Sequence, residues 1–385
     1  MPHLFENVKT ISEKLPFFFD NFFFKGYIST KMKLEIPNEY EGSCMTIKEI
    51  AQIAGVSIAS VSRAFQTPPS PYISEKQRER ILKICEEMHY YPNINSRRMT
   101  QKFTNTVVLM SHDLPTVPQP NCQYFQYDYN FGLITQGIQS VLSRNGKGLQ
   151  LVWVNAEYLA AHKHIELARS KIADGILVWG ALDNDDFVRE LGGEKIPVIQ
   201  LTSVIRGTRT LNVVADEYGG MAEIARKVIE AGHEKIAILR PSLRASSGML
   251  RCKAVLDTLS RNGLNPYWTS EKDSYGYEFG AEGAMEILKK APGTTCIIAP
   301  NDLTAWGCID VLSANGVRVP EDISVTGADG IRFPSTLKLE SFYMPSFEIG
   351  AAGALALCSM LNGESGETQQ SIPVTMIPGN SLKRL

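Results

Sequence analysis

From Thr106 onward, short apolar runs alternate with longer amphipathic ones, and this alternation limits the possible folds more than any other feature of the chain. The runs are VVLM, LQLVWV, GILVW, PVIQL, KIAIL, CIIA and ISVTG. Each has the length of a buried strand, and the stretches between them space their apolar residues as helices do. Such alternation predicts parallel sheets with helices on both faces, because parallel neighbours need a crossover connection. There are too many strands for one compact sheet, and a helix from about Asp216 to Ala231 marks the start of a second half. Two similar α/β lobes with a cleft between them are therefore expected. At 385 residues the chain is also long enough for two or three units.

Ahead of this region, from Thr46, the chain reads TIKEIAQIAGVSIASVSRAFQ. Thr46 followed three residues later by Glu49 is a capping box, so a helix starts there. Ile47, Ile50, Ala51 and Ala54 recur at helical spacing and predict one buried face. Gly55 supplies a tight turn, Val56 plugs the core, and Ser57 caps a second helix through Val61, Ala64 and Phe65. The pair reads as a helix-turn-helix or as a plain helical hairpin with solvated serines. For the first reading the second helix has the right chemistry. Ile58 and Ala59 let the backbone approach base edges, Ser60 and Ser62 can donate to phosphates, and Arg63 can donate twice to a guanine.

Ser74 and Gln77 form another capping box, opening a third helix with Ile81, Leu82, Cys85 and Met88 inward and Arg78, Arg80 and Lys83 near the outer face. It is expected to stop at Tyr90-Tyr91-Pro92. Residues 45–104 carry nine Lys or Arg against five Asp or Glu, a surplus of four positive charges inside a chain whose net charge is -2. A basic head on an acidic remainder is what phosphate binding requires.

TIKEIAQIAGVSIASVSRAF, the third helix and YYPNINSRRM resemble, in order and spacing, the head and hinge of the lactose/galactose repressor family of bacterial regulators. The resemblance implies that Ile58, Ala59 and Arg63 read bases and that Ser57, Ser60 and Ser62 hold backbone phosphates. It also implies that PNINSRRMTQK is a hinge helix that folds on operator DNA and enters the minor groove, with Asn93, Ser96, Arg97 and Met99 in contact. Met99 stands where the family usually has a wedging leucine, and an apolar wedge kinks DNA; core packing is the alternative for it.

The resemblance continues to about residue 380 through DGILVWG, EAGHEKIAIL, APNDLTAWG and VRVPEDISVTGAD. It implies a small all-α helix-turn-helix head (45–92), a hinge (93–105) and an α/β, two-lobed, periplasmic-binding-protein-like sensor domain (106–385). The first lobe would span about 106–213 plus 340–365, and the second about 214–339 plus the C-terminal strand. Phe131, Trp179, Arg251, Asn301 and Asp329 fall where the family holds its effector. An aromatic face suits a sugar ring, and Asp, Asn and Arg make directed hydrogen bonds to hydroxyls or a carboxylate. Asn301 could instead cap the following helix, Phe131 and Trp179 could be core, and Arg251 could pair with a surface carboxylate. One aromatic position of the family is filled by Glu278, with Tyr275, Tyr277 and Phe279 nearby. The stretch PTVPQPNCQYFQYDY could be a lid or part of a dimer interface.

A lone head covers few base pairs, so a homodimer on palindromic double-stranded operator DNA is expected, controlled by a small-molecule effector, a sugar or sugar derivative. The chain lacks GxSxG, a Walker loop, GxGxxG after a strand and HExxH, so no enzyme, metal or cofactor is expected. His233 reads as structural. The seven cysteines form no CxxC pair, which predicts reduced, mostly buried thiols in the cytoplasm. No run is apolar enough to span a membrane, LPFFFDNFFF being broken by Asp20 and Asn21. Residues 1–44, an arm or a misassigned start, receive no function. A periplasmic solute-binding protein would share the two lobes but would need a signal peptide and no DNA head, and a sugar- or nucleotide-active enzyme would turn its ligand over.

Overall fold

In a computed structural model, the described residues are 45–66, 69–91, 103–112, 123–332, 336–364 and 369–385, with backbone alone over 123–128. The chain divides into a unit over Met1–Met99 and another over Thr100–Leu385.

The first unit contains α1 (Ile47–Ala54), α2 (Ile58–Ala64) and α3 (Glu75–Glu87). Both halves of the α1 capping box form, with the Thr46 N–H donating to Glu49 Oε2 at 2.6 Å. Gly55 closes α1 at φ 61°, a left-handed conformation that costs glycine no Cβ clash. Ser57 caps α2 by accepting from the Ser60 N–H at 3.1 Å. Ile50, Ala54, Val61, Ala64, Ile81 and Cys85 close one core. Arg78 and Arg80, expected near the outer face, turn back onto helix ends: Arg78 Nε donates to the Ala64 carbonyl at 3.1 Å and Arg80 Nη2 to the Ala54 carbonyl at 3.2 Å. A cation at a helix C-terminus satisfies open carbonyls and opposes the helix dipole. Met88, expected inward, is exposed, because α3 ends at Glu87 and the chain reverses through His89 at φ 49°.

The second unit opens with β1 (Thr106–His112), α4 (Gln123–Arg144), β2 (Gly148–Val154), α5 (Ala156–Ala160), α6 (Lys163–Arg169), β3 (Gly175–Trp179), α7 (Asp186–Gly192), β4 (Val198–Leu201) and β5 (Leu211–Ala215). It continues with α8 (Glu217–Glu230), β6 (Ile236–Arg240), α9 (Ser246–Arg261), β7 (Trp268–Asp273), α10 (Tyr277–Lys290), β8 (Cys296–Ile298), α11 (Asp302–Ala314) and β9 (Ser324–Thr326). The last elements are β10 (Ser341–Tyr343), α12 (Ser346–Leu361), β11 (Gln369–Ile372) and β12 (Thr375–Ile377).

Two parallel sheets result, in the orders β2-β1-β3-β4-β5-β11 and β7-β6-β8-β9, with β10 and β12 forming a short antiparallel pair. Each sheet is covered on both faces, by separate apolar clusters around Leu109 and Val108 in the first and Leu239 and Ile238 in the second. The boundaries differ from those expected. Phe342 packs with the second lobe's core, so the return to the first lobe falls near Met344 rather than 340. Strand β11 joins the first sheet, after which β12 and Ser381, whose carbonyl accepts from the Val325 N–H at 3.0 Å, go back to the second. The chain thus passes between the lobes three times. Helix α4 begins at Gln123, so half of the stretch expected as a lid or interface is helical; residues 115–122 lie outside those described.

Among the described residues no helix is long and apolar enough to cross a membrane. Cys85, Cys252, Cys296, Cys308 and Cys358 are buried free thiols; Cys44 and Cys122 lie outside the described residues.

Candidate functional site

Helix α2 divides its residues sharply. Val61 and Ala64 are buried in the head's core, while Ile58, Ala59 and Ser62 are exposed and Ser60 and Arg63 half-buried. An isoleucine 45% exposed at the first turn is an apolar side chain given to solvent or to a partner. Ser57 and Ser60 join their hydroxyls at 3.0 Å on the same end of the helix. The Arg63 guanidinium lies 5.4 Å from the centre of the Tyr72 ring, a cation–π contact that holds a long side chain in place without using its donors. Ile58, Ala59, Ser62 and Arg63 are therefore together on the outward face of α2, with Ser57 and Ser60 at its N-terminal end. The hinge residues Asn93, Ser96, Arg97 and Met99 lie outside those described.

The sensor domain holds a cavity of about 240 Å³ between its lobes. Its walls come from the carboxyl ends of strands in both sheets: Ser111 and His112 at β1, Trp179 at β3, Ser203 after β4, Ser242 after β6 and Tyr275 after β7. Ligands gather there in open α/β sheets because the loops and helix N-termini converge beyond the strand ends. The rim is bridged from lobe to lobe: the Asp183 N–H donates to the Arg244 carbonyl and the Val204 N–H to Ser246 Oγ, both at 2.8 Å.

Three charged side chains meet on the wall, all nearly inaccessible: Arg251 from α9, Glu217 from α8 and Asp329 after β9. Arg251 Nε donates to Glu217, Nη2 to Asp329 Oδ1 at 2.7 Å, and Nη1 to the Pro300 carbonyl at 2.8 Å. Burial opposes the Arg251 charge, but Asp329 and Glu217 together hold the guanidinium firmly protonated. Burial pushes the Glu217 carboxyl above the ordinary range although Arg251 draws it down. Asp329 has φ 102°, strained for a residue with a Cβ, and is fixed there by its N–H donating to Phe342 O at 2.9 Å and its carbonyl accepting from Met344 N at 3.2 Å. Behind it, Asp302 accepts from Ser341 Oγ and the Ile331 N–H, each at 2.7 Å, with its carboxyl raised well above the usual range by burial and then by Asp329.

Of the expected effector residues, Trp179, Arg251 and Asp329 reach the cavity wall, and Phe131 and Asn301 do not. Phe131 packs between Trp153 and Trp179, with ring centres at 5.1 and 5.2 Å, and so backs the wall. Asn301 is fully buried as the cap of α11, accepting from the Thr304 N–H at 2.9 Å. Arg251 pairs with buried carboxylates rather than a surface one. Tyr275, not Glu278, supplies the second aromatic side chain. Reading the sequence missed Glu217 and His112; His112 Nε2 lies 2.6 Å from Asp185 Oδ2. His233 is buried between Thr295 Oγ1 at 3.0 Å and the Lys383 carbonyl at 2.9 Å, a structural position. Away from the cavity, His162, His164 and Glu190 bring donor atoms within 4.8 Å of one another, and His164 Nε2 already pairs with Glu190 at 2.6 Å.

Residues 116–378 match the family of periplasmic binding proteins and sugar binding domain of LacI family, and residues 46–93 match bacterial regulatory proteins, lacI family. The chain is 27% identical over 356 residues to the probable HTH-type transcriptional repressor ExuR of Bacillus subtilis (strain 168), covering 89% of this chain and 99% of that protein. It is 25% identical over 345 residues to the ribose operon repressor of the same organism, covering 88% and 99%. The fold is similar to that of the lac repressor dimer bound to operator and the anti-inducer ONPF, with a TM-score of 0.74, 21% identity and coverage of 88% and 99%.

Proposed function

The chain belongs to the LacI family of bacterial regulatory proteins, and from that premise we propose that it is a transcriptional repressor that binds palindromic operator DNA as a homodimer under the control of a sugar or sugar derivative. The observation that carries this reading is α2, whose outward residues Ile58, Ala59, Ser62 and Arg63 stand on a core closed by Val61 and Ala64. Ile58, Ala59 and Arg63 read base edges in the major groove, Ser57, Ser60 and Ser62 hold phosphates, and Asn93, Ser96, Arg97 and Met99 serve the hinge in the minor groove. Residues 45–92 are the head, 93–105 the hinge and 106–385 the sensor.

Trp179, Arg251 and Asp329 form the effector site, with Phe131 and Asn301 supporting it from behind. The effector alters the lobe arrangement, and thereby the hinge, without being turned over, so effector and operator change each other's affinity by the same factor. Work of this kind belongs in the cytoplasm, at the nucleoid. Selection of DNA from a random pool by the purified protein, followed by salt titration of the best site, tests the reading. A palindrome whose affinity falls steeply with salt is expected; failure to enrich any sequence, with and without sugars, would overturn it.

A further inference from the structure

We infer that the interlobe cavity takes an uncharged, monosaccharide-sized polyol and rejects sugar acids and sugar phosphates. The inference rests on the effector-site reading above and narrows its ligand. Recognition of a carboxylate or phosphate needs a cation with donors to spare, best of all an arginine edge offering two parallel N–H groups. Arg251 is the sole Lys or Arg among the described residues on the wall. Four of its five N–H groups are turned into the protein, Nε to Glu217, Nη2 to Asp329 at 2.7 Å and to Met344 Sδ at 3.9 Å, and one of Nη1 to the Pro300 carbonyl at 2.8 Å, so a single Nη1 N–H remains and no parallel pair is left for a carboxylate or phosphate. Two carboxyl groups therefore accompany one guanidinium, so the cluster presents no surplus positive charge whether Glu217 is ionised or protonated.

An anion entering this site would lose its hydration and meet acidic oxygens across a low dielectric, with no Lys or Arg freed to compensate and the His112 imidazole already engaged by Asp185 at 2.6 Å. A polyol meets the opposite situation. Its hydroxyls donate to carboxyl oxygens, each of which offers several lone pairs, and exchange hydrogen bonds with Ser203, Ser242, Ser247 and Asn130 on the same wall. Trp179 and Tyr275 add aromatic surface for the C–H face of a ring. The volume of about 240 Å³ lies below the roughly 300–1,000 Å³ of sites for drug-sized ligands and suits one sugar ring rather than a chain of them.

Calorimetric titration of the full-length protein with matched probes tests this: D-glucose, D-galactose and D-ribose, against D-glucuronic acid, D-galacturonic acid and the 6- or 5-phosphates. The expected result is that at least one neutral sugar binds and that its acid and phosphate bind at least ~100-fold more weakly, the scale of one or two lost charge-assisted bonds. Retained operator affinity of the same preparation shows that the protein titrated is folded. An acid or phosphate that outbinds its neutral parent would overturn the inference and leave the sensor reading standing. No binding by any probe, in a protein that still selects a salt-sensitive operator, would overturn the sugar-effector reading and the inference with it.

Discussion

Replacing Arg251 with alanine takes away the cation that two buried carboxyl groups share. Arg251, Glu217 and Asp329 are 5%, 2% and 2% exposed, so solvent screens little of the interaction. Breaking a buried ion pair by deleting one partner typically costs about 3–5 kcal/mol, because the survivor keeps its desolvation without its compensation. Here two survivors remain, and the Pro300 carbonyl is left without the donor that Arg251 supplied. The carboxyls can escape part of the cost by taking up protons, which fixes the sign of a pH dependence. The Glu217 carboxyl, already pushed up by burial, rises further once the guanidinium that draws it down is gone, so the penalty is largest above the ordinary carboxylate range and shrinks as pH falls toward it. Urea and thermal unfolding of both proteins at about pH 8 and about pH 5 should therefore show a loss near the full 3–5 kcal/mol at the higher pH and a clearly smaller one at the lower. At roughly 2–4 °C per kcal/mol for a domain of this size class, the melting temperature should drop by about 6–20 °C. A loss below about 1 kcal/mol that is flat with pH would refute the triad as drawn.

Arg63→Ala should weaken operator binding by about 1–3 kcal/mol and relax preference at one base position, measured by competition with single-base operator variants; a uniform loss across all variants would move Arg63 to a phosphate. Gly280→Ala should destabilise the second lobe by about 1–3 kcal/mol in urea, since a Cβ there would lie 1.9 Å from the Thr304 carbonyl where α10 crosses α11, and a neutral effect would mean that the helices part easily. Burial holds the His233 imidazole below its ordinary range, so the unfolded chain takes up the proton first and stability falls as pH drops through about 6.5. His233→Gln should flatten that slope between about pH 7.5 and 5.5 in pH-dependent melting, and an unaltered slope would assign it to another group.

The head was legible almost residue by residue because its signals are local. A capping box, a left-handed glycine and a capping serine each act within four residues, and all three form at Thr46, Gly55 and Ser57. Most strands buried on both faces were legible, as in GILVW, although the interior strand β5, LNVVA, was not among those expected. Strands β7 and β11, WTSEKD and QQSI, escaped notice because edge strands keep one side in water and carry no apolar run. Arg78 and Arg80 were placed outward because periodicity describes where a Cα faces, not where a long side chain can reach. In the cavity, Trp179, Arg251 and Asp329 could be carried over from a resemblance, while Glu217 could not be told from the acidic residue that any helix favours in its first turn. Only the tertiary fold, which brings Arg251 against it from 34 positions away, distinguishes the two.

The placement of β11 has a consequence for the protein's birth. A chain leaving the ribosome can assemble β1 to β5 early, yet the strand that completes that sheet, Gln369–Ile372, and the helix α12 that covers Leu177 and Leu201 emerge after all of the second sheet. The first lobe must therefore wait, with an apolar face uncovered, while some 150 residues are added, a delay of about 8–30 s at bacterial synthesis rates. A premature stop anywhere before residue 369 would leave the earliest-made lobe unfinished, and a nascent chain stalled there should be the species that a chaperone holds longest.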